Sequence, residues 1–344
     1  MPPASVAAAS PARRRWFAGW EARDWAPLVS LLLIAGFFAL ASDSFLRPIT
    51  AMQILKQGSV LAIAAAGLTF VILCGEIDLA VGMIALWTAC FCGWLYERPW
   101  AAGAGGSGEP PDWAVAVVIL LPLATSVVIG ALSGLIVVWS SLPSFIITLA
   151  TMNIAFGLAR YLTRSVQHDV PRLLDTLGNR GFDFTPRVMI PYSALLAAAV
   201  LALGHYVLVH TRFGRMVYMT GANRRAAYFS GVRCGRIVVA CLVISALAGG
   251  VAGLVNAGRL GSVSLDQNRD LLLQAVACVV LGGTSLLGGQ GSMGRTLLGV
   301  LTFTTLDIGL NQMKIEDHAR PLVLGTVLLA ALVANGLLAR RSAP

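Results

Sequence analysis

The sequence predicts an all-α polytopic membrane protein with about ten transmembrane helices, some short or broken, and both termini in the cytoplasm. Three observations carry that reading. Hydrophobic residues make up 57% of the 344 positions and charged residues 12%, far too little polar surface for a soluble chain of this size. Mean hydropathy is +0.78. The apolar residues also fall into runs near the roughly 20 residues that span about 30 Å of hydrocarbon.

Taken in order, the predicted segments are 25–42, 57–75, 79–96, 113–139, 143–162, 188–209, 237–256, 271–288, 293–311 and 320–338. The first follows Arg13, Arg14 and Arg15, and Ala39-Leu40-Ala41 imitates a leader cleavage site. The charged start and apolar stretch together are about twice the usual leader length, so a retained first helix is expected. The fourth carries Pro122 and is long enough to tilt or kink. The eighth is interrupted by Gln274 and dissolves into glycine, the pattern of a short or broken helix near a transport pathway. Gly130-x-x-x-Gly134 and Gly249-x-x-x-Gly253 would let helices approach closely. The organisation is thus a tail at 1–24, one transmembrane domain at 25–338, and within it a polar connection at 211–236.

Formal net charge is +9, from 25 basic and 16 acidic residues. The arginines lie between apolar runs, where cytoplasmic loops carry them, which argues against nucleic acid as partner and for contact with lipid headgroups. From Thr211 to Arg236 there are six arginines and no acid, so this loop is expected in the cytoplasm. Ten crossings then bring both termini to the same side. The six cysteines form no C-x-x-C pair and are expected as small buried hydrophobes.

Three stretches carry chemistry. Glu76 and Asp78 stand between two apolar runs, where ionised carboxylates are costly unless paired, hydrated or lining a cavity. Two readings are open: a helix junction in which Asp78 caps the next helix or bonds across the bundle, and a gate or coupling element. Residues 282–296 contain near-matches to two phosphate-binding glycine motifs, but Arg295 stands where a lysine is needed and no soluble strand–helix unit surrounds them. A glycine turn that lets two short helices approach is the expected role. In the arginine loop, Asn223 can cap a short helix with apolar members Ala226, Ala227 and Phe229, and Gly231 can end it. So short a helix must dock on something, either the membrane surface or a soluble partner.

Four motifs occur in order along the chain: Gly75-Glu76-Ile77-Asp78-Leu79-Ala80-Val81-Gly82, Pro143-Ser144-Phe145-Ile146-Ile147-Thr148-Leu149-Ala150, the run from Thr211-Arg212-Phe213-Gly214-Arg215 to Ser230-Gly231, and Leu281-Gly282-Gly283-Thr284-Ser285. With them the sequence resembles the membrane permease subunits of bacterial ABC sugar importers of the ribose, xylose, arabinose and galactose type. It departs from that pattern at Ala80 and Ala150, and at Leu272-Leu273-Gln274, where the pattern has Glu-Leu-Asp.

The resemblance implies an inner-membrane permease working by alternating access. Its partners would be a second permease subunit, a cytoplasmic ATPase that holds ATP and Mg, and a periplasmic binding protein, with no catalysis or cofactor on this chain. It places ATPase coupling on Arg212, Gly214, Gly221, Asn223, Ala226, Ser230 and Gly231, and the pathway or its gates on Glu76, Asp78, Phe145, Thr148 and Asn153. The expected cargo is a monosaccharide or related polyol. The competing reading is an ion-coupled secondary transporter, which the lack of a buried Asp/His/Arg relay disfavours.

Overall fold

The computed structural model describes residues 22–100, 110–185 and 188–313, with isolated positions as far as 329. In chain order the first helices are α1 (Ala22–Ala41), α2 (Pro48–Leu73), α3 (Val81–Tyr96), α4 (Asp112–Ser140) and α5 (Ser144–Thr163). The next connection holds β1 (His168–Asp169), α6 (Arg172–Asn179), β2 (Gly181–Thr185) and β3 (Val188–Pro191). Then follow α7 (Tyr192–His210), α8 (Arg212–Ala222), α9 (Arg224–Phe229), α10 (Cys234–Leu260), β4 (Ser262–Val263), α11 (Leu271–Leu281) and α12 (Met293–Gln312).

Among the described residues, nine of the ten predicted apolar stretches coincide with helices, and the segment at 320–338 lies largely outside them. Among the described residues, five helices are long and apolar enough to cross a membrane: α2, α4, α5, α7 and α10. The boundaries move where polar residues misled the reading. Helix α2 starts at Pro48, with Pro at its first turn, because Gln53 and Lys56 lower hydropathy without breaking a helix. Helix α7 starts at Tyr192, since residues 188–191 form β3 and pair antiparallel with β2. Helix α11 stops at Leu281 because Gly282 and Gly283 end it. The described residues are mostly helical, interrupted among them by two small two-stranded sheets, β1–β4 and β2–β3.

The centre of the bundle is α2 and α10, apolar on every side and covered on nearly every side, as expected for core helices. The two small-residue pairs seat the helices against one another. Gly130 and Gly134 of α4 lie against α10 at Leu242–Ala246 and Val239, and Gly249 and Gly253 of α10 lie against the Val81 and Ala85 carbonyls of α3. Helix α1 docks on α12 through Phe38, which is buried against Leu306, Leu310 and the bare backbone of Gly309. All six cysteines are buried.

Helix α11 is a half-length helix set deep in the bundle. Its Leu272 lies beside Gly82 at the start of α3, and that start lies beside Gly249, eleven residues before the end of α10 at Leu260. The 261–270 connection therefore turns back from the end of α10 into the bundle by on the order of 15 Å.

Gly253→Leu drives a side chain into the Ala85 carbonyl, a clash at or above the upper end of the roughly 1–3 kcal/mol that overpacking costs. It should lower the melting temperature of the purified protein and broaden its size-exclusion profile. Gly36→Leu, on an open face of α1, should leave both unchanged.

Candidate coupling site

The arginine-rich connection folds into two short helices, each begun by a side-chain cap. Thr211 Oγ1 accepts from the Gly214 amide at 3.2 Å to start α8, and Asn223 Oδ1 accepts from the Ala226 amide at 3.0 Å to start α9. At the end of α9 the Ser230 amide donates to the Ala226 carbonyl, and Gly231, at φ +84°, turns the chain toward α10. The capping and stopping roles expected of Asn223 and Gly231 are both present.

The two short helices are wired into the bundle at one backbone junction. The Gly289 N–H donates to the Leu73 carbonyl at 2.9 Å, joining the glycine turn between α11 and α12 to the end of α2. Gly221 of α8 sits against the same Leu73 carbonyl and against the Gly289 amide; a Cβ there would collide with the carbonyl. Gly75, at φ +80°, completes the contact from the α2–α3 connection. Tyr218 of α8 donates to the Gly291 carbonyl at 2.9 Å, and Arg224 of α9 pairs with Glu76 at 2.8 Å. Glu76 is 9% exposed and Arg224 is 54% exposed, so the pair is half sheltered.

Asp78 is buried and makes the bond across the bundle that the junction reading expects, while α3 itself begins after Ala80 with no side-chain cap. Its Oδ1 accepts from the Ala80 amide at 2.8 Å, at the start of α3, and its Oδ2 accepts from Ser245 of α10 at 2.7 Å. The start of α5 braces the same connection: Ser144 Oγ accepts from the Ile77 amide at 3.0 Å and Thr148 Oγ1 from the Leu79 amide at 3.1 Å. Glu76, Asp78 and Thr148 thus belong to one buried junction. Phe145 and Asn153 lie elsewhere, on the exposed face of α5, where Asn153 bonds only its own helix at the Leu149 carbonyl.

The residues assigned to coupling divide in two. Gly214 and Gly221 face inward, Gly214 against the carbonyls of Val207 and Leu208. A bulky side chain at Gly221 would disrupt the chain itself before it met any partner. Arg212, Asn223, Ala226, Ser230 and Gly231 are exposed. The apolar face expected of α9 reduces to Ala227, its one buried residue; Ala226 and Phe229 point outward. Tyr228 and Phe229, 70% and 79% exposed with rings 5.9 Å apart, form a projecting aromatic pair that the sequence reading did not single out as a surface. A six-residue helix has no periodicity from which to tell which face is free. The near-phosphate motif is structural: Ser292 caps α12, and Thr296 is buried with its hydroxyl 2.8 Å from Thr69.

A family profile described as the permease component of branched-chain amino acid transport systems matches residues 50–332. The chain is 33% identical to the ribose import permease RbsC of Bacillus subtilis, over 89% of this chain and 91% of that one. It is 31% identical to RbsC of Haemophilus influenzae, over 90% and 92% of the two chains. It is 32% identical to the probable ABC transporter permease YphD of Escherichia coli, over 92% and 90%. No solved structure matches. With a match over most of its length and relatives above 30% identity across both chains, the chain belongs to the family of ABC-transporter permease components.

Proposed function

We propose that this chain is the inner-membrane permease subunit of an ATP-driven importer for a monosaccharide or related polyol, with the α8–α9 end in the cytoplasm. The observation that carries the proposal is the wiring of the α8–α9 segment. A projecting aromatic pair on α9 is joined, through Arg224, Gly221 and Tyr218, to the α2–α3 and α11–α12 connections. A surface loop tied to one helix end would absorb a push by bending. A segment fixed to two interhelical connections passes the displacement into the bundle.

The cytoplasmic partner is an ATPase subunit that binds ATP and Mg, with Tyr228 and Phe229 as anchors and the exposed arginines as polar surroundings. A second permease, identical or related, and a periplasmic binding protein complete the importer. The exposed face of α5, with Phe145 and Asn153, is the surface this chain offers to the pathway between two permeases. The ribose import permeases among the relatives support a sugar cargo and the direction of transport.

Three measurements test this reading. Reconstituted with its cognate ATPase and binding protein, the chain should take up solute only when ATP is supplied; uptake by the chain alone on an ion gradient would establish a secondary transporter instead. Tyr228→Ala with Phe229→Ala should weaken ATPase binding about thirtyfold, the effect of losing anchors worth about 2 kcal/mol, without changing membrane abundance. Arg224→Glu should reduce solute-stimulated ATP hydrolysis about fivefold, as expected for a half-exposed ion pair near 1 kcal/mol, and Glu76→Arg in the same chain should restore it.

A further inference from the structure

A groove of about 410 Å3 runs between α2, α7 and α12, away from the α8–α9 junction and the exposed face of α5. Its α7 wall is Ala194, Ala197, Ala198, Leu201, Ala202 and His205, one helix face at the three- and four-residue spacing. Gly58, Ser59 and Ala62 of α2 form the floor, and Leu297 and Leu301 of α12 the far wall. Ala198, Ala202 and Leu297 are exposed, so the groove opens on the outside of the bundle. Apart from His205 at one end, the polar side chain lining it is Ser59, whose hydroxyl donates to the Lys56 carbonyl at 2.7 Å. Water needs two to four polar partners, which these walls do not supply.

The dimensions select the shape of an occupant. From Ala194 to His205 the α7 wall is roughly 16 Å long. Spread over that length, the volume gives a mean cross-section of about 25 Å2. A helix 10 Å across needs about 80 Å2. An extended hydrocarbon chain, about 4.5 Å wide by carbon–carbon contact distance, needs about 20 Å2. The rest of the described chain does not cover the groove. Helix α1 and Val323 pack against Leu306 and Leu310 of α12, about half a turn around that helix from Leu297 and Leu301.

The charges select its direction. The His205 end is basic: the His210 ring lies 6.5 Å from the His205 ring, and Arg212 and Arg215 are exposed just beyond. No Asp or Glu stands between Asp183 and Asp266 in the sequence, none lies in α2, and Asp307, the one acid of α12, is toward the opposite end. At that opposite end the charges are mixed, with Lys56 bound to the Asn179 carbonyl and Asp307 accepting from Gln57.

We propose that this groove holds one acyl chain of a phospholipid, with the lipid phosphate at the His205–Arg212 end. The chain lies along Ala194–Ala202 against the glycine and alanine floor of α2, and the headgroup reaches the membrane surface beside the start of α8. The site stands apart from the import reading above, since it needs only that α2 and α7 cross a membrane.

The test is native mass spectrometry of the full chain released from nanodiscs of phosphatidylethanolamine and phosphatidylglycerol, with melting curves before and after delipidation. One phospholipid per chain should survive conditions that strip the others, phosphatidylglycerol by several-fold over phosphatidylethanolamine. Ala198→Leu with Ala202→Leu fills the groove from two exposed positions. It should lower retention at least fivefold, raise the melting temperature of the delipidated chain, and abolish the rise that added phospholipid gives the wild type. Ala202→Leu alone should act in the same direction, and Ala199→Leu, exposed on α7 outside the groove, should change none of these. Arg212→Gln with Arg215→Gln should remove the preference for phosphatidylglycerol. No retained lipid, or equal retention in the folded groove-filling variants, would overturn the proposal. So would disulfide cross-linking of Ala198→Cys between two copies, which would show a protein occupant. A headgroup preference unchanged by the arginine substitutions would overturn the placement of the phosphate.

Discussion

One carbonyl oxygen organises the α8–α9 end of this protein. The last carbonyls of a helix have no intrahelical donor, and in a low-dielectric bundle an unsatisfied one is expensive. At the end of α2 the Leu73 carbonyl takes the Gly289 N–H, and Gly221 is close enough to the same oxygen to exclude any side chain. Three segments far apart in sequence are thereby held at backbone distance. Glycine is required because side chains cannot occupy the space where three backbones meet. The positive φ angles of Gly75, Gly288 and Gly289 reflect the sharp turns that bring two of the segments there.

Around that junction the polar groups are arranged as satisfied pairs. Asp78 accepts from Ala80 and Ser245, and the hydroxyls of Ser144 and Thr148 accept from the amides of Ile77 and Leu79. The Ser245 bond joins the irregular α2–α3 connection to α10 and the two hydroxyl bonds join it to α5, so its non-helical backbone is stabilised from outside. This is how irregular backbone persists at membrane depth. The Arg224–Glu76 pair is of another kind, since one partner is more than half exposed. Its strength therefore depends on what covers Arg224, and a subunit docked over α9 would desolvate the pair.

Local pattern revealed the helices and their stops, because each depends on neighbours in sequence. The apolar runs, the Asn223 cap, the Gly231 stop, the break after Leu281 and the two small-residue pairs are all of that type. What pattern could not reveal depends on distant partners. Gly221 looks like any loop glycine until Leu73 and Gly289 are placed against it. Arg224 is one of six arginines until Glu76, 148 positions away, selects it. Asn256 and Gln274 look like polar residues that satisfy one another across helices; the structure instead puts Asn256 in a relay from Arg259 to Asn268 and Gln274 on the wall of the polar cavity beside it. The aromatic pair of α9 was hidden for the opposite reason. Apolar residues in a short helix suggest burial, and only the packed bundle exposes them.

Helix α11 connects these two regions. Its N-terminus opens on the Arg259–Asn268 cavity, and its C-terminus runs through Gly282 into the turn that binds Leu73. At 11 residues it is roughly 16 Å long, packed on α2 and α12 with the Cys278 carbonyl against Gly299 and Gly282 against the Arg295 carbonyl. Contacts of backbone on backbone leave little room for bending, so the helix holds its two ends at a fixed separation. At its C-terminal end the turn lies against Gly221 of α8, backbone on backbone. One short helix thus joins the polar cavity at the α10–α11 connection to the backbone junction at Leu73.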